Sequence, residues 1–353
     1  MILFRLPCDI STQKAFQAGR APALLLSLLC LLLLSCGVAR AQEQGDEVLR
    51  VESNLVQLNV GVVDRQGHAV TSLSRNDFVV YEDGVRQAIE DFEPATAPFS
   101  LVLLLDVSGS TTPFRQNLKQ ASLRFIDALA PEDRVAVIAF NQRAQLLTGF
   151  TTDRRKIAYA IEIADGRGDT QFYKALDYAL EQLAKEGKRR KAIVVMTDGL
   201  DTQLRSLDRA SAAGAQTNEA AIASIKPEAS PQLNAILKAA DRQGVSIFPL
   251  ALPSGDPKRL PLPDPVITAI YTSARTRLQT LADRTGGNLN EIRRLDELAR
   301  FYAGVAASLR ALYTIVYKPS NAQSAQRGSW HTIRVEVAHP ELVARTKTGY
   351  YAR

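Results

Sequence analysis

Oxygen-bearing side chains in three short segments have the chemistry of a divalent-cation site. Asp106, Ser108 and Ser110 alternate in Leu-Asp-Val-Ser-Gly-Ser, Thr170 follows in Arg-Gly-Asp-Thr, and Asp198 closes Val-Val-Met-Thr-Asp-Gly. Hard cations such as Mg²⁺ prefer oxygen ligands and usually keep several waters. Among the five residues only the two aspartates carry charge, so the site would at most neutralise a divalent ion and would leave it an open position. A carboxylate from a partner can complete such a site, which predicts binding and no reaction.

The two aspartates follow apolar runs that are typical of buried parallel strands. Ser100 to Leu105 precedes Asp106, and Lys191 to Thr197 precedes Asp198. Strands buried on both faces have nearly continuous Val, Ile and Leu sequences. In an open α/β sheet, ligands bind beyond the carboxyl ends of the strands. The sequence therefore predicts that both carboxylates lie at one edge of such a sheet.

Strands and helices alternate across the region from residue 99 to residue 312. This alternation predicts an α/β fold: a doubly wound, mostly parallel sheet with helices on both faces. Two stretches, 202–231 and 253–265, are rich in small or proline residues, and we expect them to protrude or to pack loosely on the rim. Further strands are predicted at 134–140 and 245–252, and helices at 115–129, 154–164, 172–185, 233–243, 275–284 and 295–312.

The segments on either side of this region have β patterns. Residues 48–96 and 313–353 alternate apolar and polar positions between turn signals. Neither segment has enough strands for a stable core of its own. We predict that the two segments pair with each other in a small β-sandwich-like module, into which the α/β domain is inserted.

The N-terminal residues 1–41 have the features of a signal peptide. Basic residues precede an apolar run from Ala21 to Cys36, which is shorter than the ~20 residues of a transmembrane helix. Ala39-Arg40-Ala41 offers small residues for cleavage before Gln42, and secretion to the periplasm, cell envelope or medium would follow. Two alternatives stay open. Leu33-Leu34-Ser35-Cys36 is similar to a lipoprotein box that would anchor the chain through Cys36, and the segment could also remain as an uncleaved anchor.

Composition excludes several classes of function. The chain has 353 residues, a formal charge of +6 and 23% charged residues, without a basic patch interleaved with aromatic residues. That pattern does not predict nucleic-acid binding. All three cysteines precede Gln42, so cleavage there would leave no disulfide, thiolate site or cysteine nucleophile.

The five cation-site residues, in their order and α/β context, resemble the metal-ion-dependent adhesion site of von Willebrand factor type A domains. The resemblance covers roughly residues 99–312. The flanks resemble a bacterial secreted group with this domain, through Asp-Phe-x-Val-Tyr-Glu-Asp-Gly at 77–84 and the closing Gly-Tyr-Tyr at 349–351. The resemblance implies that Asp106, Ser108, Ser110, Thr170 and Asp198 hold Mg²⁺, or Mn²⁺ or Ca²⁺.

The function implied by this resemblance is metal-dependent adhesion in the bacterial envelope or outside it. A protein ligand would offer an acidic residue to the cation, and the protein would not be an enzyme. One alternative is a structural module of an envelope assembly with an inert cation site. A Mg²⁺-dependent phosphoryl-transfer enzyme is the other, but Ser108 stands where haloacid-dehalogenase-type phosphatases have a second acid. Serine hydrolysis is disfavoured because all three histidines lie in the β flanks.

Overall fold

The structure is a computed structural model that describes residues 55–352, except 67, 188, 255, 260, 262–263, 295–296 and 321–327. The predicted signal peptide, its cleavage site and Cys36 lie outside the described residues. Within the described ranges, no helix combines the length and the apolar character that crossing a membrane requires.

The strands form one six-stranded sheet and two four-stranded sheets. The six-stranded sheet has the order β10-β9-β8-β5-β6-β7, and its strands are parallel except β7, which is antiparallel to β6. The four-stranded sheets have the orders β13-β1-β11-β4 and β14-β12-β2-β3. In chain order the strands are β1 Val56–Val63, β2 Phe78–Glu82, β3 Val85–Gln87, β4 Ile89–Glu93, β5 Phe99–Asp106, β6 Arg134–Phe140, β7 Ala144–Thr151, β8 Arg190–Thr197, β9 Val245–Ala251, β10 Asn290–Glu291, β11 Leu312–Tyr317, β12 Trp330–Val337, β13 Val343–Arg345 and β14 Gly349–Tyr351.

Helices cover both faces of the six-stranded sheet. Side chains of β5 and β8 alternate between two apolar cores, so that Leu103 packs on one face and Leu104 on the other. The predicted α/β fold with a mostly parallel sheet is confirmed. The helices are α1 Arg115–Asp127, α2 Arg154–Ile163, α3 Phe172–Ala184, α4 Thr202–Ala212, α5 Asn218–Ser224, α6 Pro231–Gln243, α7 Pro265–Thr285 and α8 Leu298–Arg310. A 3₁₀ turn, Gly109–Phe114, links β5 to α1.

Residues 202–231, which we expected to protrude from the sheet or to pack loosely on its rim, contain two capped helices, α4 and α5. Asp201 accepts hydrogen bonds from the first-turn amides of α4, and Thr217 does the same for α5. Ala221 and Ala269 belong to a small apolar cluster between α5 and α7, where small side chains let the two helices approach closely. No helix was predicted in this segment because small and polar residues dominate its composition. The antiparallel edge strand β7 was also not predicted.

The two four-stranded sheets enclose a separate apolar core. It includes Val60 of β1, Val80 of β2, Tyr313 of β11 and Tyr350 of β14. Strand β1 pairs antiparallel with β11, and β2 pairs antiparallel with β12, so each sheet contains strands from both flanks of the α/β region. We call these two sheets the sandwich.

Candidate metal centre

Strand order brings the two aspartates together. The chain runs from β5 to β6 and β7 on one side, and later returns to β8 on the other side of β5. This change of direction is the switch point at which doubly wound sheets bind ligands. Leu105 is paired with Met196, so Asp106 and Thr197 are the next neighbours across the strands. The Thr197 hydroxyl donates to Asp106 Oδ2 over 2.7 Å.

Asp106 is enclosed by hydrogen bonds from its own loop. Its side chain is buried, and its Oδ1 accepts a hydrogen bond of 3.0 Å from the Ser108 amide. The buried Ser108 hydroxyl lies 3.2 Å from the hydroxyl of the exposed Ser110. The alternation Asp-x-Ser-x-Ser therefore places its oxygen atoms in one small region beyond β5.

Asp198 has a buried oxygen atom without a hydrogen bond. It follows β8 and is fully buried, and its Oδ1 accepts from the Leu200 amide at 3.0 Å. Its Oδ2 is enclosed by protein, and none of the described residues donates to it within hydrogen-bond geometry. A buried carboxylate oxygen without a partner is costly unless a ligand or ion satisfies it.

The electrostatics of the pair disfavour two free carboxylates. Burial raises the pKa of Asp106, and the nearby charge of Asp198 raises it further. Burial also raises the pKa of Asp198, although the Ser110 hydroxyl and the Arg275 guanidinium act in the opposite direction. Two adjacent buried carboxylates repel each other in the absence of a cation. A divalent cation would remove both the desolvation cost and the repulsion.

Thr170 reaches the same edge on a separate loop. The Thr170 amide donates to the Thr202 hydroxyl at 3.0 Å, and the Thr202 amide donates to the Thr170 carbonyl at 2.9 Å. The Gly109 amide donates to the Gly168 carbonyl at 3.0 Å, which joins the loop of Thr170 to the loop of Ser108. Gly168 has φ +93°, a left-handed conformation that glycine adopts without strain. Thr170 makes no hydrogen bond with the other four residues within the described contacts, so only its loop is fixed relative to them.

Sequence reasoning missed two residues that support this edge. Thr197 directly precedes Asp198, and its position at a strand end next to an aspartate was a usable signal. Arg115 gave no signal, because its role depends on loops far apart in sequence. Its guanidinium donates to the carbonyls of Val107 at 2.9 Å, Ser108 at 3.1 Å and Gly166 at 2.7 Å. Arg115 therefore ties the first ligand loop to the second.

The residues present fit an oxygen-coordinated divalent cation. Two carboxylates and three hydroxyls stand at one edge of the sheet, and a buried carboxylate oxygen there has no donor in the described part of the chain. The donor set contains no nitrogen or sulfur, which favours Mg²⁺, Mn²⁺ or Ca²⁺ over softer metals.

Residues 101–200 match the family model described as von Willebrand factor type A domain. The chain contains a von Willebrand factor type A domain. The matched residues include most of β5, all of β6 and β8 and all five predicted ligands, so the type A domain holds the whole candidate centre.

Parts of the chain are also similar to curated proteins. The human voltage-dependent calcium channel subunit alpha-2/delta-2 is 27% identical over 125 residues, which are 32% of this chain and 11% of that protein. An uncharacterized protein of Synechocystis sp. is 36% identical over 107 residues, 29% of this chain and 25% of that protein. Among solved structures, a von Willebrand factor type A protein from Catenulispora acidiphila aligns with a TM-score of 0.46 at 14% identity, covering 85% of this chain and 64% of that one. The matches span a small part of the curated relatives.

Proposed function

We propose that the type A domain binds a protein ligand reversibly through a divalent cation held by Asp106, Ser108, Ser110, Thr170 and Asp198. The observation that carries this proposal is the buried Asp198 Oδ2, which has no hydrogen-bond donor in the described structure and lies beside the buried Asp106. Such a pair is unfavourable as bare protein and favourable as a ligand set for a cation.

The charge of the centre sets the chemistry of the ligand. Two aspartates neutralise a divalent cation only if both are fully ionised and close to it, and the three hydroxyls add no charge. A carboxylate on the partner is the anionic oxygen ligand that hard cations prefer. The exposed Ser110 marks the side from which a partner can approach. The domain therefore acts as an adhesion module, and the signal-peptide pattern of residues 1–41 supports a location outside the cytoplasm, in the envelope or medium.

The melting temperature tests whether these five residues bind a divalent cation. A cation at ~10 times its dissociation constant that binds only the folded state adds about 1.4 kcal/mol of stability. We expect Mg²⁺ or Mn²⁺ to raise the melting temperature of the chelated protein by roughly 2–4 °C. Asp106→Ala should abolish the rise. Asp177→Ala, which removes an exposed carboxylate from α3, should keep it. An equal rise in melting temperature in the wild type, Asp106→Ala and Asp177→Ala would rule out a cation site at Asp106.

Immobilised peptides test whether the bound cation captures an acidic residue of a partner. One set contains a single glutamate, and the matched set has glutamine in its place. We expect Mg²⁺-dependent retention on the glutamate peptides only, and loss of retention with a chelator or with Asp106→Ala. Metal binding without any difference between the two peptide sets would favour a cation site with a structural role.

A further inference from the structure

Three metal-ligating side chains converge in the sandwich, in a cluster separate from the candidate metal centre. Glu82 ends β2, Asp83 begins the turn to β3, and His331 lies near the start of β12. One ligand atom from each residue lies within 4.8 Å of the other two. His331 Nδ1 is 2.7 Å from Asp83 Oδ2 and 3.7 Å from Glu82 Oε1. The side chains of Glu82 and His331 are buried, and that of Asp83 is 35% exposed.

The second heteroatom of each side chain is held by a group outside the cluster. The hydroxyls of Tyr317 and Tyr350 donate to Glu82 Oε2 at 2.6 and 3.1 Å. The amide and hydroxyl of Thr332 donate to Asp83 Oδ1 at 2.8 and 3.0 Å. The Ser329 hydroxyl lies 2.7 Å from His331 Nε2. Protein metal sites orient their ligands in this way, with outer groups bonded to the atom that does not face the ion.

Two carboxylate oxygens approach the same imidazole nitrogen. Asp83 Oδ2 lies within hydrogen-bond distance of it at 2.7 Å, and Glu82 Oε1 lies at 3.7 Å. A divalent metal ion can accept the imidazole lone pair and both carboxylates together, as zinc does with mixed His and acidic ligands.

We propose that Glu82, Asp83 and His331 bind a divalent transition-metal ion of the zinc class. The imidazole ligand favours zinc over Mg²⁺, which prefers all-oxygen sites. The half-exposed Asp83 gives the ion access to solvent and a position for water. The bound ion links the β2–β3 turn to β12, and so joins strands from the two flanks of the type A domain. The site does not depend on the proposed function of that domain.

The backbone at Asp83 offers a precise variant for the test. Asp83 has φ +49°, the left-handed region, which asparagine and aspartate tolerate better than other side chains. Asp83→Asn should therefore preserve the turn and the contacts with Thr332 while removing an anionic ligand. His331→Gln removes the nitrogen ligand.

His339 supplies a matched control. It lies just beyond β12, exposed and near two carboxylates, Asp77 at 3.6 Å and Glu341 at 3.7 Å. These carboxylates face different ring nitrogens and do not converge on one point. His339→Gln should leave zinc binding unchanged.

The experiment is calorimetric titration of the whole chain with Zn²⁺, in an Asp106→Ala background so that the candidate metal centre does not contribute. We expect one ion per chain, binding at least ~10-fold weaker after Asp83→Asn or His331→Gln, and full affinity after His339→Gln. Absence of zinc binding in the background protein would overturn the proposal. So would Asp83→Asn and His331→Gln proteins that bind as tightly as the His339→Gln protein. If His331→Gln does not fold, the zinc affinity of Asp83→Asn relative to that of His339→Gln is the test.

Discussion

Arg190 should be one of the most important single residues for stability. It begins β8, is 1% exposed, and its guanidinium lies 3.9 Å from the centre of the Phe99 ring. It donates to the carbonyls of Ala95 at 2.9 Å and Ala97 at 2.8 Å, where the chain enters the α/β domain. It also donates to the carbonyls of Leu309 and Leu312, where the chain leaves that domain.

Arg190→Met should remove these contacts and leave buried carbonyls without donors. A hydrogen bond from a charged group contributes about 1.5–3 kcal/mol, and the recovered desolvation cost of the guanidinium offsets part of the loss. We expect a net destabilisation of about 3–5 kcal/mol, a large share of the ~5–15 kcal/mol of a typical domain. Arg190 contacts both chain connections between the sandwich and the α/β domain. Its loss should therefore uncouple these two parts, so that they unfold in separate transitions in the variant.

The assay is urea unfolding followed with two probes. Fluorescence of the single tryptophan, Trp330 in β12, reports on the sandwich, and far-ultraviolet circular dichroism reports on the helices. The two curves should coincide in the wild type and separate in the variant. Arg189→Met is the control, because within the described part of the chain that neighbour donates a single long bond of 3.4 Å, to the Glu132 carbonyl. A loss below ~1 kcal/mol for Arg190→Met, or a loss equal to that of Arg189→Met, would refute this reasoning.

Three further predictions concern the six-stranded sheet and the helices that cover it. Thr197→Val should weaken Mg²⁺ binding ~10-fold or more without unfolding, because Asp106 Oδ2 loses its donor; titration calorimetry would show this, and unchanged affinity would contradict it. Arg277→Met should destabilise the fold by about 3–5 kcal/mol in urea unfolding, since it removes two bonds of 2.6 and 2.7 Å from the buried Asp208 and leaves it the longer bond of 3.3 Å from the Ser273 hydroxyl. Because burial raises the folded pKa of Asp106 above its ordinary 3.8, the metal-free protein should lose stability as pH rises through the folded pKa. Its melting temperature should therefore fall from pH ~5 to ~8 relative to Asp106→Asn, and parallel curves would refute this.

The sequence predicted the class of the fold and the residue types of the candidate centre. The apolar runs that end at Asp106 and Asp198 are long and lack polar interruption, so their burial in a parallel sheet followed from local pattern alone. The rule that ligands bind at strand ends then placed both carboxylates at one edge. The helix α4 was missed because small and polar residues outnumber large apolar ones in it, and the edge strand β7 was missed because it is only partly buried and lacks the apolar run of the central strands.

Only the tertiary structure decided how distant residues meet. The contact of Thr197 with Asp106, the Arg115 links between ligand loops and the buried Asp198 Oδ2 all depend on strand order and loop conformation. The meeting of Glu82 and Asp83 with His331 depends on antiparallel pairing across some 250 residues of chain. Local sequence determines which segments are buried, because burial follows from hydrophobic pattern. Which polar atoms are left without a partner is decided only when all segments have packed together.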